Sequence, residues 1–268
     1  MLMPAAAPST PTAWVHGEPD EPSPELLARI ASDLRPLRPA PGLGRLGQRI
    51  QASVAASQGF VTVRRESYRF AAPGAGMARQ LLRASDAVRV ELVQLGAGAE
   101  LPWEGRPQEL LLLDGGVSDA AGRAWAAHDH LLRGAAGPAL QAGPAGARLY
   151  LRSLLDAGKL PADELAWWAG EDGRHAGDWW RLSPGVDVKC LRGRGDVLSM
   201  LVRLQPGSVL ADHGHRLEED CLMLSGEIFL GDILLRADDY HLAPVGARHV
   251  DGFSEPGGLL FVHGVLPE

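Results

Sequence analysis

Two segments decide how this chain is read: GSVLADHGHRLEEDCLMLSG at residues 207–226 and PVGARH at residues 244–249. The first places His213 and His215 two residues apart. If they lie on a strand, both rings leave the same face and can meet one ion. Glu219 follows a short irregular stretch and opens the next apolar run. His249 comes from a later hairpin, after the turn signal Pro244-Val245-Gly246. Neutral imidazoles with one carboxylate suit Zn, Fe(II), Mn, Ni or Co, and not Ca or Mg. Four protein ligands in an octahedral sphere leave two positions for water or substrate, whereas tetrahedral zinc would be closed.

Working outward, much of the chain reads as short strands. Phe60-Val61-Thr62-Val63 is rich in β-formers. Val88 to Leu95 alternates apolar and other residues over much of its length. Gly and Pro punctuate at short intervals, as in an antiparallel sandwich or barrel. The features occur twice, about 110 residues apart. Tyr68-Arg69-Phe70 before Pro73-Gly74 is echoed by Trp180-Arg181-Leu182 before Pro184-Gly185. Val93-Gln94-Leu95 is echoed by Val202-Arg203-Leu204. Glu109, four leucines and Gly115-Gly116 are echoed by Glu219, an apolar run and Gly226. Two copies of one β unit are expected, at 60–153 and 179–268, joined by a linker at 154–178. Pro161 to Trp168 reads as a short linker helix with Pro at its start. Trp167, Trp168, Trp179 and Trp180 are expected to bury that linker.

Ahead of the repeats, residues 1–59 read as a mobile Pro-rich tail with two short amphipathic helices. Ser23-Pro24-Glu25 is a helix start, and Leu26, Leu27, Ile30 and Leu34 then share a face. Leu43, Leu46, Ile50 and Val54 align in a second helix. Helices 24–35 and 43–56 are the candidate surface for a protein partner or for docking on the chain itself. The 268 residues carry a formal charge of -7, 46% hydrophobic and 22% charged residues, and two cysteines. That is the balance of a globular protein large enough for a core without staples. No basic cluster suits nucleic acid, no apolar run suits a membrane span, and the start lacks a signal-peptide pattern. The expectation is a cytoplasmic homodimer with no nucleic-acid or membrane partner.

Gly207, His213, His215, Glu219 and Gly226 resemble the first motif of the cupin superfamily, G(X)5HXH(X)3-4E(X)6G. Pro244, Gly246 and His249 resemble the second, with Asp238 in place of its leading Gly and Phe253 in place of its final Asn. The resemblance implies an all-β protein: two antiparallel jelly-roll cupin barrels in tandem, a bicupin. Its second barrel would hold a divalent metal ion (Zn, Fe, Mn or Ni) through His213, His215, Glu219 and His249. Residues 180–262 are similar in layout to the cupin domains of ChrR-type anti-sigma factors. In those, a helical domain holds zinc through His and a Cys-X-X-Cys pair; residues 1–59 here contain His16 and no cysteine. The first copy is read as degenerate. Trp103-Glu104-Gly105-Arg106 stands in place of the His pair, and only Glu109 is retained.

Cys221, Tyr240, His241 and His263 are the candidates to line or support the site. Cys221 shares strand parity with Glu219 and is either a thiol beside the metal or a small buried hydrophobe. Tyr240 and His241 fall on opposite faces, so one of them at most faces the metal. His263 either lines the barrel or is a satisfied core residue. His128 and His130 share a face but lack a third ligand, and His16 and His175 are expected at the surface. The function expected is a metal-binding regulatory or sensory bicupin, with a small molecule in the second barrel. The alternative is an Fe(II)- or Mn-dependent dioxygenase or related enzyme.

Overall fold

Runs of valine and leucine between glycine turns fold, as their pattern demands, into antiparallel strands. The computed structural model describes Ser23, Gly47, Gln48 and residues 59–74, 76–134, 136–169 and 177–266. The expected tail, all of the expected helix 24–35, the expected helix 43–56 apart from Gly47 and Gln48, and His16 and His175 lie outside the described residues. Every element below belongs to the unit Arg49–Glu268. The first half contributes β1 (Val61–Val63), β2 (Ala71–Gly74), β3 (Met77–Ala84), β4 (Val88–Leu95), β5 (Glu100–Leu101), β6 (Gln108–Asp119), β7 (Ala124–Ala126), β8 (His130–Arg133) and β9 (Leu140–Leu154). Helix α1 (Ala162–Ala169) follows, and Asp163 and Glu164 in its first turn suit the helix dipole. The second half contributes β10 (Trp180–Ser183), β11 (Val186–Arg194), β12 (Val197–Leu204), β13 (Ser208–Leu210), β14 (His213–Gly214), β15 (Glu219–Leu230), β16 (Ile233–Arg236), β17 (Tyr240–Ala243), β18 (Arg248–His249), β19 (Gly252–Ser254) and β20 (Gly258–Val265). No described helix is long and apolar enough to cross a membrane.

These strands form an eight-stranded sheet, a ten-stranded sheet and the two-stranded ribbon β14–β18. The main paths run β2-β3-β4-β9-β6-β7 and β1-β17-β15-β20-β12-β11-β10, open at their ends rather than closed into barrels. The expected duplication is visible in the strands. β4 and β12 are each eight residues long with the same order of buried and exposed positions. β6 and β15 are each twelve residues long, and both begin with five buried residues. Gly115 and Gly226, the eighth residue of each, have positive φ, and a Cβ on either would overlap a facing glycine carbonyl.

One strand departs from the expected partition. β1 was expected with the first copy but pairs with β17 of the second, Thr62 opposite His241.

Both long strands are buried on two faces, which explains their unbroken apolar runs. Leu110 and Leu112 enter the core of the first sheet, and Leu111 enters the seam between the sheets. Likewise Cys221 and Met223 enter the second core and Leu222 the seam. This parity corrects the reading of Glu109. As first residue of β6, Gln108 is the counterpart of Glu219, and Glu109 is the counterpart of Asp220.

The seam also buries a charged network. Glu109 accepts hydrogen bonds from Ser199 and pairs with His130 (2.9 Å). His263 meets Ser199 through Nδ1 (2.8 Å) and Glu164 of α1 through Nε2 (3.0 Å). Arg152 pairs with Glu164, and Tyr240 donates to Asp220. Trp167 and Trp168 are buried over Arg152, whereas Trp180, expected to pack on the linker, is 40% exposed. His128 sits in a turn with positive φ, and so only His130 of that pair lies on a strand.

Candidate metal centre

Convergence of the four candidate ligands rests on a two-residue strand and a turn. β14 ends at Gly214, so the two histidines of the first segment do not share a regular strand. His213 pairs with His249 across the β14–β18 ribbon. His215 is pinned through its backbone: its N–H donates to Ala247 O (3.0 Å), and Gly246 N–H donates to His215 O (2.7 Å). The turn Pro244-Val245-Gly246 therefore brings the first segment and His249 together. Glu219, at the start of β15, completes the set, and one ligand atom from each of the four lies within 4.8 Å of the others. His215 Nε2 and His213 Nε2 approach His249 Nδ1 at 3.2 Å and 3.3 Å. His213 Nδ1 is turned to Ala211 O (2.9 Å), which leaves Nε2 for the cluster.

Burial decides the protonation of His215, His249 and Glu219. It lowers His215 to about 4, helped by His213. It lowers His249 to about 2, helped by His215, His241 and His213. Both rings are therefore neutral, with lone pairs to offer. Burial and then Asp220 raise Glu219 to about 8, a carboxyl that a neighbouring cation would ionise. Converging neutral nitrogens beside one carboxyl fit a divalent transition ion. The cluster can hold such an ion.

A cavity of about 280 Å³ opens from this cluster into the second core. His213, Glu219 and His249 stand in its wall, with Cys221, Met200 and Val262 among apolar neighbours. Burial raises the Cys221 thiol well above its usual range, so it stays protonated and behaves as a hydrophobe.

Residues 174–265 match the family model of the ChrR cupin-like domain. Among solved structures, a candidate dioxygenase from Nostoc punctiforme aligns with TM-score 0.57 and 15% identity, over 76% of this chain and 81% of that one. Oxalate decarboxylase from Lactobacillus farciminis, as a formate complex, aligns with TM-score 0.54 and 15% identity, over 76% and 86%. Oxalate decarboxylase from Bacillus subtilis, an enzyme with Mn(II) centres, aligns with TM-score 0.52 and 15% identity, over 76% of each chain. Residues 174–265 thus carry the match to a cupin-like domain, and the solved structures share the fold of a larger part of the chain. At these identities the likeness to solved structures is one of fold alone, and no curated protein matches the chain.

Of the four supporting candidates, two adjoin the cluster. Cys221 lines the cavity, and His241 places Nε2 at 3.1 Å from His249 Nε2. Tyr240 points the other way, into the seam toward Asp220. His263 lies in the seam between Glu109 and Glu164, so it is a satisfied buried residue and no part of the cavity wall.

The corresponding place in the first half holds a side-chain cation. Gln108, counterpart of Glu219, accepts from Arg133 Nη2. Arg133 Nη2 also reaches Pro102 O (3.5 Å), and Nη1 donates to Leu101 O (3.3 Å) and Pro138 O (3.1 Å). Burial draws this guanidinium down to about 10, so it is still charged at neutral pH. Sequence reasoning missed Arg133, because a single basic residue closing the short strand HLLR carries no motif.

Proposed function

We propose that His213, His215, Glu219 and His249 hold a divalent metal ion, and that ion and cavity together bind a small, largely apolar molecule. The observation that carries this reading is the cavity wall. Three of the four ligand residues face it, yet the rest of the wall is almost wholly apolar. Such a wall recognises shape and hydrophobicity, while the ion supplies a Lewis-acid anchor for one polar atom of the guest. Apart from the ligand residues, the wall carries, among the described residues, only Ser183 and the protonated Cys221 as polar side chains. That lack of a separate acid or base favours binding and response over proton-transfer catalysis, in keeping with a regulatory or sensory cupin of the ChrR type. On this reading the chain is a bicupin, with a first copy at 60–153 and a metal-bearing copy at 179–268, acting in the cytoplasm as a homodimer. The segments 24–35 and 43–56, read as amphipathic helices from the sequence, are proposed as its contact with a protein partner.

Elemental analysis of the purified protein, followed by thermal denaturation with and without chelator, tests the metal. A chain that carries no metal and gains no stability from any of Zn, Fe, Mn or Ni would refute the proposal.

The opening of the ligand set onto a cavity favours one second reading, an Fe(II)- or Mn-dependent dioxygenase or related enzyme. Anaerobic Fe(II) loading with an oxygen-uptake screen separates the two. Uptake that requires a small organic substrate would select the enzyme.

A further inference from the structure

The short strand β1 crosses to the second sheet and reaches the back of the metal cluster. Phe60, just before it, stacks on His249 with ring centres 5.0 Å apart and planes 19° from parallel. The same ring touches His241, also at 5.0 Å. Thr62 Oγ1 lies 2.9 Å from His241 Nδ1, and His241 Nε2 lies 3.1 Å from His249 Nε2. Thr62, His241 and His249 thus form a continuous chain ending at the nitrogen of His249 that faces away from the other ligands. Strand pairing sets its register, because Thr62 stands directly opposite His241.

We infer that the N-terminal strand is a working part of the metal centre: Thr62 and His241 fix which nitrogen His249 offers, and Phe60 holds its ring plane. This rests on the proposed metal site. His249 turns Nδ1 toward His213 and His215. With Nδ1 given to an ion, the proton of the neutral ring must sit on Nε2, which then donates to His241 Nε2. His241 in turn carries its proton on Nδ1 and donates to Thr62 Oγ1. Each ring has one permitted tautomer, and the relay selects it. An outer partner of this kind sets the orientation and basicity of a metal-bound imidazole. The consequence is a coupling between metal occupancy and the seating of residues 60–63. A partner that draws this segment off β17 releases the relay and weakens the site, and by linkage metal binding tightens β1. Thr62, His241 and Phe60 are positioning residues, acting on the ion through His249.

The test uses the full chain and cobalt(II), whose visible absorption reports its ligand field, with affinities from chelator competition. Thr62→Val keeps the branched shape and removes the hydroxyl. It is expected to weaken cobalt binding by about tenfold or more and to shift the absorption bands. Thr62→Ser restores the hydroxyl and is expected to regain affinity and spectrum, while both metal-free variants melt like the unaltered chain. Hydrogen exchange of the Val61–Val63 amides is expected to slow on cobalt loading. Unchanged affinity and bands in Thr62→Val overturn the inference and leave the metal site standing. An equal loss in Thr62→Val and Thr62→Ser also overturns it, since packing and not the relay would then matter. Should the unaltered chain bind cobalt no better than its His213→Ala/His215→Ala variant, the proposed ligands fail first and the inference falls with them.

Discussion

At corresponding positions the two sheets differ in how a cation is accommodated: the second has residues that could hold a metal ion, and the first holds a side-chain guanidinium. In the second, three imidazoles and a carboxyl converge on a place that solution can fill. In the first, Arg133 brings the charge on the chain itself, against Gln108 and three backbone carbonyls. The ligand types follow from the cation. A divalent transition ion is well met by neutral nitrogens and an ionisable oxygen. The Arg133 guanidinium, a planar donor, is met here by neutral acceptors. The difference teaches that a half without the histidines can still put positive charge at the corresponding place. A removable cation suits a site that responds, and a covalently attached one suits a site that only holds its strands together.

The largest effect should come from removing the fixed cation. Arg133→Ala leaves Gln108 and the carbonyls of Leu101 and Pro138 without their donor. The expected cost is about 3 kcal/mol in denaturant unfolding, the same with and without chelator. A cost that vanished on chelation would break the comparison, because the first sheet would then depend on the metal.

The seam between the sheets should register pH to almost the same extent. Burial and Arg152 oppose charge on His263, but Glu164 and Glu109 outweigh them and raise its pKa to about 9. A folded value above the unfolded 6.5 gives stability that is complete below pH 6.5 and lost as pH rises through 9. The expected loss is about 3 kcal/mol, from a shift worth roughly 1.4 kcal/mol per pKa unit. His263→Gln should flatten that limb of the stability curve. A limb unchanged in the variant would assign the loss to other groups.

The removable cation comes next. At free metal 100-fold above its dissociation constant the stabilisation should be about 2.7 kcal/mol. His213→Ala with His215→Ala should abolish that gain in thermal melts, and the double variant should match the chelated unaltered chain. The smallest effect should come from Gln108→Glu, which restores the carboxylate without the histidines. Metal content per chain should stay unchanged by elemental analysis, with stability altered by about 1 kcal/mol or less, because the attraction to Arg133 is largely offset by desolvation of the buried carboxylate. Extra metal in that variant would show that the first site had lost only its carboxylate.

Much of the candidate site was legible before any coordinates. His213, His215, Glu219 and His249 stood at telling intervals among turn residues, and the structure brings their donor atoms together. The means was less legible: the ribbon and turn that converge them involve too few residues to leave a periodic pattern. The repeat was legible because paired strands keep the same length and the same buried positions. The spacing of the sequence repeat sets Glu109 against Glu219, one residue away from its structural counterpart, Asp220. Both faces of β6 are buried, so an unbroken apolar run carries no parity signal.

The residues alone pointed to a β-rich chain with a repeated strand pattern and one candidate set of metal ligands, because strand composition, turn glycines and ligand types are local and leave their mark in spacing. Only the tertiary structure decided which side of each strand faces which core, that β1 crosses to the second sheet, and that Arg133 occupies the first. It also assembled Glu109, Arg152, Glu164, Asp220 and His263 into one buried network. Those outcomes depend on pairing between segments far apart in the chain. Such pairing is selected by the burial of whole surfaces and the mutual neutralisation of charges, and neither is written in any short stretch of sequence.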